Sequence, residues 1–458
     1  MLENRLKLYK YPLFFAFLSF WTGIFTSLWG FYAIIGFLFG ALLLRYIFGR
    51  DFLYTFIFFI AGFLYTYPER QNKIPTERVA VTATVMRKGV IRVDSVIGGN
   101  SYFKGKSIRV KGLSGFERGD IIRGFMIVNR EKNNFYARPI KLEKVGVREG
   151  FPYSVNRYLK AKIEELSDRE DVRGFLLGVL LGYRDFIPIN MMDTFKKTGT
   201  MHILALSGLH IGILLTIIYF LFIPILGHKN RASVVAIILT LLYILIVGTS
   251  PSILRAYIVF VVIMISRMFN RRTSVYNAIG IAGILSLLIW PDWAFSYSFM
   301  LSYLAFVGVV YYSSVLNAKS RYLAILLASI GAMLFTLPIT SHFSGYIPAL
   351  SFAFNLVIIP LFSAVMWIFA GALFVYIVAP FFIPLLNFIV NTAGRVFLGV
   401  ISVFSHISPL IKVKIDSPAA LVCYYLVILA LPVIITILKE RRINGKSLNT
   451  KGVFNESS

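Results

Sequence analysis

The sequence predicts a polytopic α-helical membrane protein with an inserted extracytoplasmic β-barrel domain. Of the 458 residues, 57% are hydrophobic, which is more apolar surface than an ordinary soluble domain can bury. Several apolar runs reach the ~20 residues that cross ~30 Å of hydrocarbon. One polar stretch interrupts these runs, and its hydrophobicity alternates with the period of two that is typical of β-strands.

The first 67 residues are predicted to form an N-terminal transmembrane region with three apolar segments, near 12–29, 31–48 and 52–66. Basic residues precede the first segment and separate the second from the third. Because cytoplasmic loops are enriched in Lys and Arg, the N-terminus is predicted to be cytoplasmic. Three crossings then carry the following domain to the outer face.

Residues 69–150 are predicted to form a basic, OB-like barrel of about five short strands. The segment holds 18 basic and 8 acidic residues, a net charge of +10, with aromatic residues interleaved. Such a surface suits single-stranded nucleic acid, through phosphate contacts and base stacking, or alternatively anionic lipid. The candidates for nucleic-acid contact are Arg87, Lys88, Arg92, Tyr102, Phe103, Lys104, Lys106, Arg109 and Lys111.

Two short elements are predicted to connect the barrel to the main membrane region, 170–440. Residues 151–169 have the pattern of an amphipathic helix lying along the membrane surface. The apolar run 174–182 is too short to span a bilayer, which favours a re-entrant or buried helix.

Nine apolar segments follow from residue 201 onward. They lie near 201–226, 232–248, 251–267, 275–290, 297–313, 322–340, 349–372, 383–406 and 419–437. Their basic connections all fall inside if the barrel lies outside, so we expect about twelve crossings with both termini cytoplasmic. The segment 383–406 carries the polar stripe Asn387, Asn391 and Arg395, which also suits an interfacial helix or a cavity lining. The tail 441–458 is polar and is expected to be disordered.

The stretch "TGTMHILALSGLHIGILL", 198–215, places polar residues in an apolar segment. On one continuous helix, Ser207 and His210 lie side by side, and His202 lies near the outer end. Two interpretations remain open. Either Ser207 bonds its own i−4 carbonyl while His210 bridges two helices, or both side chains face an aqueous path. The neighbouring face, Ala205, Gly208 and Gly212, has the small-residue spacing that lets another helix approach closely.

A second polar position is Arg255, in "VGTSPSILRAYIVF". Ser250 and Pro251 are predicted to open this helix, so the arginine lies about one turn inside it. An arginine inside an apolar helix is a candidate functional residue, and the alternative is a side chain that reaches outward to the headgroups. Ser302 and Asn355 are weaker candidates, because capping and helix–helix hydrogen bonds also explain such residues.

Metal and cofactor sites are not predicted. The chain has a single cysteine, Cys423, and neither an H-E-x-x-H motif nor a Walker-type phosphate loop. The spacing of His202 and His210 turns them about 80° apart on a helix, which is a poor geometry for shared zinc ligation.

Four stretches, in order, resemble the competence (ComEC-type) DNA-uptake channel family: "FKKTGTMHILALSGLHIGIL", "GTSPSILRAYIV", "NAIGIAGILSLLIWPDWAFSYSFMLSYLAFVGV" and "SFAFNLVIIP". The resemblance implies a channel that translocates single-stranded DNA across the cytoplasmic membrane during natural transformation. The barrel would guide DNA at the outer face. The channel-lining candidates would be His202, Ser207, His210, Arg255, Ser302 and Asn355.

The resemblance also implies partners. Many family members continue into a metallo-β-lactamase-like domain, which this sequence lacks, so we expect a separate nuclease and no enzymatic activity in this chain. Single-stranded DNA and membrane lipid are the expected ligands, with a cytoplasmic ATP-driven translocase and an external DNA receptor as further partners. No cofactor is expected. The alternatives are a small-solute or lipid transporter with a regulatory soluble domain and, less favoured, an intramembrane hydrolase using Ser207 and His210.

Overall fold

The computed structural model describes residues 77–87, 90–98, 103–104, 107–110, 113, 115–131, 134–204, 206–316 and 320–413, with a few residues of the first and last apolar segments. The predictions for most of the three N-terminal segments, for most of 419–437 and for the tail lie outside the described residues.

Five strands form the soluble domain: β1 (Glu77–Arg87), β2 (Val90–Gly98), β3 (Ser107–Val110), β4 (Asp120–Glu131) and β5 (Asn134–Val147). Their hydrogen bonds run in the order β1-β2-β3-β5-β4, and β4 returns to pair with β1. All neighbouring pairs are antiparallel except β3 with β5. Alternate residues of β1, from Val79 to Val85, point into one apolar core, which explains the period of two in the sequence.

The rest of the described chain is almost entirely helical. The helices are α1 (Tyr153–Glu165), α2 (Glu170–Leu181), α3 (Ile189–Thr198), α4 (Met201–Leu204), α5 (Gly208–Leu226), α6 (Lys229–Val247), α7 (Pro251–Met268), α8 (Val275–Ile289), α9 (Tyr297–Leu316), α10 (Arg321–Ser344), α11 (Ser351–Val378) and α12 (Ile383–Ile407). Two three-residue strands, β6 (Tyr346–Pro348) and β7 (Leu410–Lys412), pair beside them.

Six of these helices are long and apolar enough to cross a membrane: α5, α6, α7, α10, α11 and α12. The helix α8 is apolar but shorter, and the stretch Tyr297–Ser313 of α9 is also apolar. The segment predicted as one helix over 201–226 is instead divided into α4 and α5, because Ser207 has extended backbone and caps α5. As predicted, the Ser250 side chain caps α7, and Pro251 occupies its first turn.

The helices α1 and α2 form a hairpin that packs on the bundle: α1 contacts α6 and α11, and α2 runs along α12. Asp168, at the tip of the hairpin, accepts a hydrogen bond from Asn387 near the start of α12. Higher on the same helix, the Phe175 ring stacks on Phe397 at 5.2 Å between ring centroids. Most residues of α2 are therefore buried within the largest apolar core.

The barrel contacts the bundle where α6 ends and α7 begins. Arg118, in the loop before β4, donates hydrogen bonds to the carbonyl groups of Leu245 and Ile246. Asn156 of α1 donates to the same Ile246 carbonyl at 3.0 Å. The N-terminal turn of α7, which holds Arg255, consequently lies on the barrel side of the bundle, and the basic residues Lys229 and Arg231 lie at the opposite end of α6.

Candidate functional site

The N-terminus of α5 is built by a capping box between Ser207 and His210. The Ser207 hydroxyl accepts from the Leu209 amide at 3.3 Å, and the Ser207 amide donates to His210 Nδ1 at 3.2 Å. The same hydroxyl lies 2.9 Å from Nδ1. Because Nδ1 accepts the amide hydrogen, the hydroxyl is the donor and the ring proton is on Nε2.

These contacts change the predicted role of Ser207 and agree with the interpretation in which His210 contacts a second helix. The Ser207 hydroxyl bonds the Leu209 amide and the His210 ring, not the i−4 carbonyl of Ile203, and it acts as the N-cap of α5. His210 is 1% exposed and its ring packs against Phe362 of α11, with 5.0 Å between ring centroids. In this conformation, therefore, His210 does not face an aqueous path. It fixes the start of α5 instead.

Arg255 lies where α5, α7 and α9 meet. One of its terminal nitrogens donates to the main-chain carbonyl of Ser302, and its guanidinium lies 5.6 Å from the centroid of the Tyr303 ring. The Ser302 hydroxyl donates to Ser252 at 3.3 Å, which adds a second polar link between α7 and α9. No carboxylate of the described chain forms an ion pair with Arg255.

The small-residue face of α5 packs against α7. A methyl group at Gly208 would lie 3.1 Å from the Ala256 side chain and 3.3 Å from a terminal nitrogen of Arg255. One turn later, a methyl group at Gly212 would touch the Phe260 ring at 3.0 Å. The close approach of these two helices therefore places the Arg255 guanidinium. Ala205 lies outside the described residues.

The other two channel-lining candidates have separate environments. His202 is exposed on the short helix α4. Asn355 lies in the first half of α11 and is partly exposed, and its Oδ1 is buried without a hydrogen-bond partner within the described part of the chain. Of the six candidates, the structure thus joins Ser207 to His210 and Arg255 to Ser302.

A residue that sequence reasoning missed is Arg118. Its two hydrogen bonds reach the last carbonyl groups of α6, which have no intrahelical partner and lie at the negative end of the helix dipole. Burial lowers the pKa of the Arg118 guanidinium, and the phenols of Tyr153 and Tyr183 oppose this shift. The sequence signal was only a basic turn, "FERGD", because the bonded carbonyls lie more than a hundred residues away.

The polar stripe of α12 receives the tip of the α1–α2 hairpin. Ser167 donates to Asn391 at 2.6 Å, and Asn391 in turn donates to Asn387 at 2.7 Å. Arg395, the third residue of the stripe, is exposed and takes no part in this chain of bonds. The two asparagines thus supply the polar contacts that hold the hairpin tip, Ser167 and Asp168, beside the otherwise apolar helix α12.

The barrel residues proposed for nucleic-acid contact are only partly described. Phe103 is fully buried in the barrel core, so its prediction as a stacking residue is wrong. Phe103 lies in the connection between β2 and β3, and its ring fills the core from there. Arg92 and Lys104 are exposed. The remaining side chains, those of Arg87, Lys88, Tyr102, Lys106, Arg109 and Lys111, lie outside the described part of the chain.

Comparison with known proteins places these elements in a family. The family described as "Competence protein" matches residues 179–439, more than half of the chain. Over 194 residues the chain is 25% identical to ComE operon protein 3 of Bacillus subtilis (strain 168), covering 42% of this chain and 25% of that protein. Over 273 residues it is 27% identical to an uncharacterized protein of Aquifex aeolicus (strain VF5), covering 59% of this chain and 63% of that one.

No solved structure matches the chain. The aligned part spans less than two thirds of either relative's length. The family match covers the capping box, the Arg255 junction and the six helices of the described chain, α5, α6, α7, α10, α11 and α12, that are long and apolar enough to cross a bilayer. The chain is a multi-pass membrane protein that belongs to the competence protein family.

Proposed function

We propose that this protein takes up DNA in natural transformation, as a channel that carries single-stranded DNA across the cytoplasmic membrane. Family membership supports the role in DNA uptake. The observation that supports a channel is a set of charged side chains beside the membrane-spanning helices. Such charges are costly next to hydrocarbon and therefore indicate a hydrated route.

The depth of the α1–α2 hairpin follows from its contacts with α12. Asn387 and Phe397 are ten residues apart, so the contacts that they make with Asp168 and Phe175 are about 15 Å apart along the helix axis. The hairpin therefore runs beside much of a helix that is long enough to cross the bilayer. The irregular, polar tip of this hairpin requires protein or water around it, and not lipid, at the depth of the membrane.

The helix α1 carries charges from the barrel junction toward that depth. Lys160 pairs at 2.5 Å with Glu117 of the loop before β4, and Lys162, nearer the hairpin tip, pairs with Glu165 at 2.9 Å. Beside the hairpin lies a cavity of about 570 Å³, and its charged lining residues are Glu164, Glu170, Arg173 and Asp185. A water-filled space is the environment that such a lining favours, and we propose that it belongs to the route below the barrel.

Arg255 is the proposed phosphate contact. A guanidinium carries five N–H donors, and the described structure uses one of them on the Ser302 carbonyl. Without a carboxylate partner, the remaining donors suit a passing phosphate, which arginine binds in a planar, two-pronged geometry. Ser302 and Ser252 would keep the neighbourhood polar. His210 and Ser207 contribute by positioning α5 against α7.

The barrel is proposed to be an OB-type domain on the outer face that guides single-stranded DNA. Its closed strand order and its net charge of +10 support this assignment. Its contact with the end of α6 opposite to Lys229 and Arg231 supports an outer location, because basic loops favour the cytoplasm. Both termini are then cytoplasmic. We further propose that the chain is a conduit without enzymatic activity, served by an external DNA receptor, a separate nuclease and a cytoplasmic ATP-driven translocase.

The test is uptake of labelled linear DNA into the cytoplasm of cells that lack this gene and carry wild-type or variant copies. Arg255→Ala should lower uptake at least about tenfold at normal membrane abundance, since a phosphate contact of 1.4 kcal/mol corresponds to a factor of ten. Arg267→Ala is the matched control, because Arg267 is exposed at the far end of the same helix.

Two outcomes would change the proposal. Unchanged uptake after deletion of the gene would reject the DNA role and favour a small-solute or lipid transporter. Full uptake by Arg255→Lys would indicate a point charge in place of two-pronged phosphate recognition.

A further inference from the structure

We propose that single-stranded nucleic acid binds the barrel on the outer face of β1, β4 and β5, centred on Phe125, and not on the β2–β3 side that the sequence favoured. This inference rests on the proposed function and names the surface that the barrel would use. The binding surface, called the Phe125 face below, consists of Phe125, Ile140, Arg78, Arg123, Arg138 and Lys141.

The apolar centre of the Phe125 face is exposed without a structural reason. Phe125 and Ile140 are each 57% exposed, although the barrel core is already filled by the opposite side of the same strands. In the strand register Phe125 lies opposite Ala80 of β1 and Lys141 of β5. The ring thus lies on an open sheet surface with a small residue on one side, which leaves room for a base to stack.

Cations surround this centre. Ile127, two positions along β4, lies opposite Arg78 of β1 and Arg138 of β5. Arg123 lies two positions along β4 in the other direction. Successive outward residues on a strand are about 7 Å apart, so the cations lie on both sides of the ring at that spacing. These three arginines and Lys141 are all exposed.

The face contains one described acidic neighbour, Glu143. It pairs with Lys141 at 2.9 Å and lies opposite Arg123 in the strand register. Lys141 lowers the pKa of the Glu143 carboxyl, through a hydrogen bond first and charge attraction second. With one carboxylate against four cations, the surface complements a polyanion. An aromatic ring among cations is the arrangement that binds the bases and backbone of a single strand together.

The position of the face argues against lipid as the occupant. The barrel meets the bundle through Arg118, two residues before β4 begins at Asp120, and Phe125 is five residues along β4 from Asp120, about 17 Å at the rise of a strand. The polar headgroup layer on one side of a bilayer is only about 7 Å thick. A strand of DNA approaching from outside reaches this face before it reaches the helices.

The experiment uses the full chain in nanodiscs of zwitterionic lipid, and it measures the fluorescence anisotropy of a labelled oligothymidylate over a series of salt concentrations. Phe125→Ala should weaken binding about tenfold, through loss of base stacking. The double variant Arg78→Gln, Arg138→Gln should also lower the magnitude of the salt slope by about 1.4, since each single-strand phosphate contact contributes about 0.7.

The matched controls remove similar groups elsewhere on the barrel. Arg92→Gln with Lys104→Gln removes the same charge from the β2–β3 side, and Val145→Ala trims another exposed apolar residue of β5. Both should leave the affinity within about twofold of wild type, because they remove neither stacking nor phosphate contacts of the proposed face.

Three results would overturn the inference, and they are distinguishable. If the Arg92 and Lys104 variant loses affinity while Phe125→Ala does not, the strand binds the β2–β3 side and the proposed function stands. If Phe125→Ala changes binding only to vesicles of anionic lipid, the occupant is a membrane. If the wild-type chain binds no oligothymidylate, the guiding role of the barrel fails together with this inference.

Discussion

The barrel–bundle junction and the α5–α7–α9 junction each contain one arginine that donates to main-chain carbonyls, and they use it differently. Arg118 binds the last carbonyls of α6, which the helix itself leaves free. Arg255 binds the carbonyl of Ser302, which lies inside α9 and already belongs to that helix's own hydrogen-bond ladder. The Arg118 contact thus satisfies carbonyl groups that lack a helical partner, whereas the Arg255 contact is made to a carbonyl group that already has one.

The difference indicates which arginine is structural. Loss of Arg118 would leave helix-terminal carbonyls of α6 without their cation, so its contribution is to the folded state. Loss of Arg255 would leave the α9 ladder intact, which agrees with its proposed role as a contact for the charged substrate. A cation in an apolar helix that the fold does not require is the stronger candidate for contact with a charged substrate.

The largest expected effect on stability is that of Arg118→Ala. Because its bonds join a charged donor to helix-terminal carbonyls, we expect the folded state to lose about 2 kcal/mol. The measurement is the thermal unfolding midpoint in detergent, together with protease sensitivity of the chain near residue 150. Arg118→Lys should recover only part of the loss, because an ammonium cannot reproduce the planar fork that reaches two carbonyls.

Arg92→Ala is the control for this variant, because Arg92 is exposed on the same barrel. The comparison between the arginines requires Arg255→Ala to show the reverse pattern, with a small change in stability and a large loss of uptake. If Arg118→Ala unfolds at the wild-type temperature, the docking contact is not the structural element that we describe.

Periodicity predicted the strands of the soluble domain and most helix positions between 208 and 407, because these depend on local pattern. Contacts between distant elements were not predictable in the same way. The capping box was missed because "ALSGLH" is apolar enough to continue a helix, and only the backbone of Ser207 shows the break. Phe103 was misassigned because it lies between β2 and β3, where no strand periodicity shows whether a side chain points into the core.

The second prediction concerns the break between α4 and α5 at Ser207. Ser207→Ala removes the N-cap of α5 and one donor to His210, so we expect a loss of about 1 kcal/mol, seen as a small decrease in the unfolding midpoint. Ser207→Thr keeps a capping hydroxyl and should retain both stability and DNA uptake. A Ser207→Thr protein that is stable but fails in uptake would show that the space beside Ser207 matters to uptake apart from the cap, since the variant keeps the hydroxyl and adds only a methyl group.

The smallest expected effect on stability, and the sharpest test of the Arg255 junction, is Gly208→Ala. The added methyl group would lie 3.1 Å from Ala256 and 3.3 Å from the Arg255 guanidinium, so α7 or the guanidinium must shift by a few tenths of an ångström. We expect a stability change below about 1 kcal/mol, because the better helix propensity of alanine offsets part of the strain. Uptake should nevertheless decrease several-fold, because a phosphate contact depends on the placement of the guanidinium.

Gly212→Ala provides the matched control for this last comparison. Its methyl group would contact the Phe260 ring at 3.0 Å, on the same face of α5 but one turn away from Arg255. If helix packing alone mattered, the two variants would impair uptake equally. Both substitutions add a methyl group between α5 and α7, but only the one at Gly208 contacts the Arg255 guanidinium. A defect confined to Gly208→Ala would therefore indicate that displacement of the arginine causes the loss of uptake.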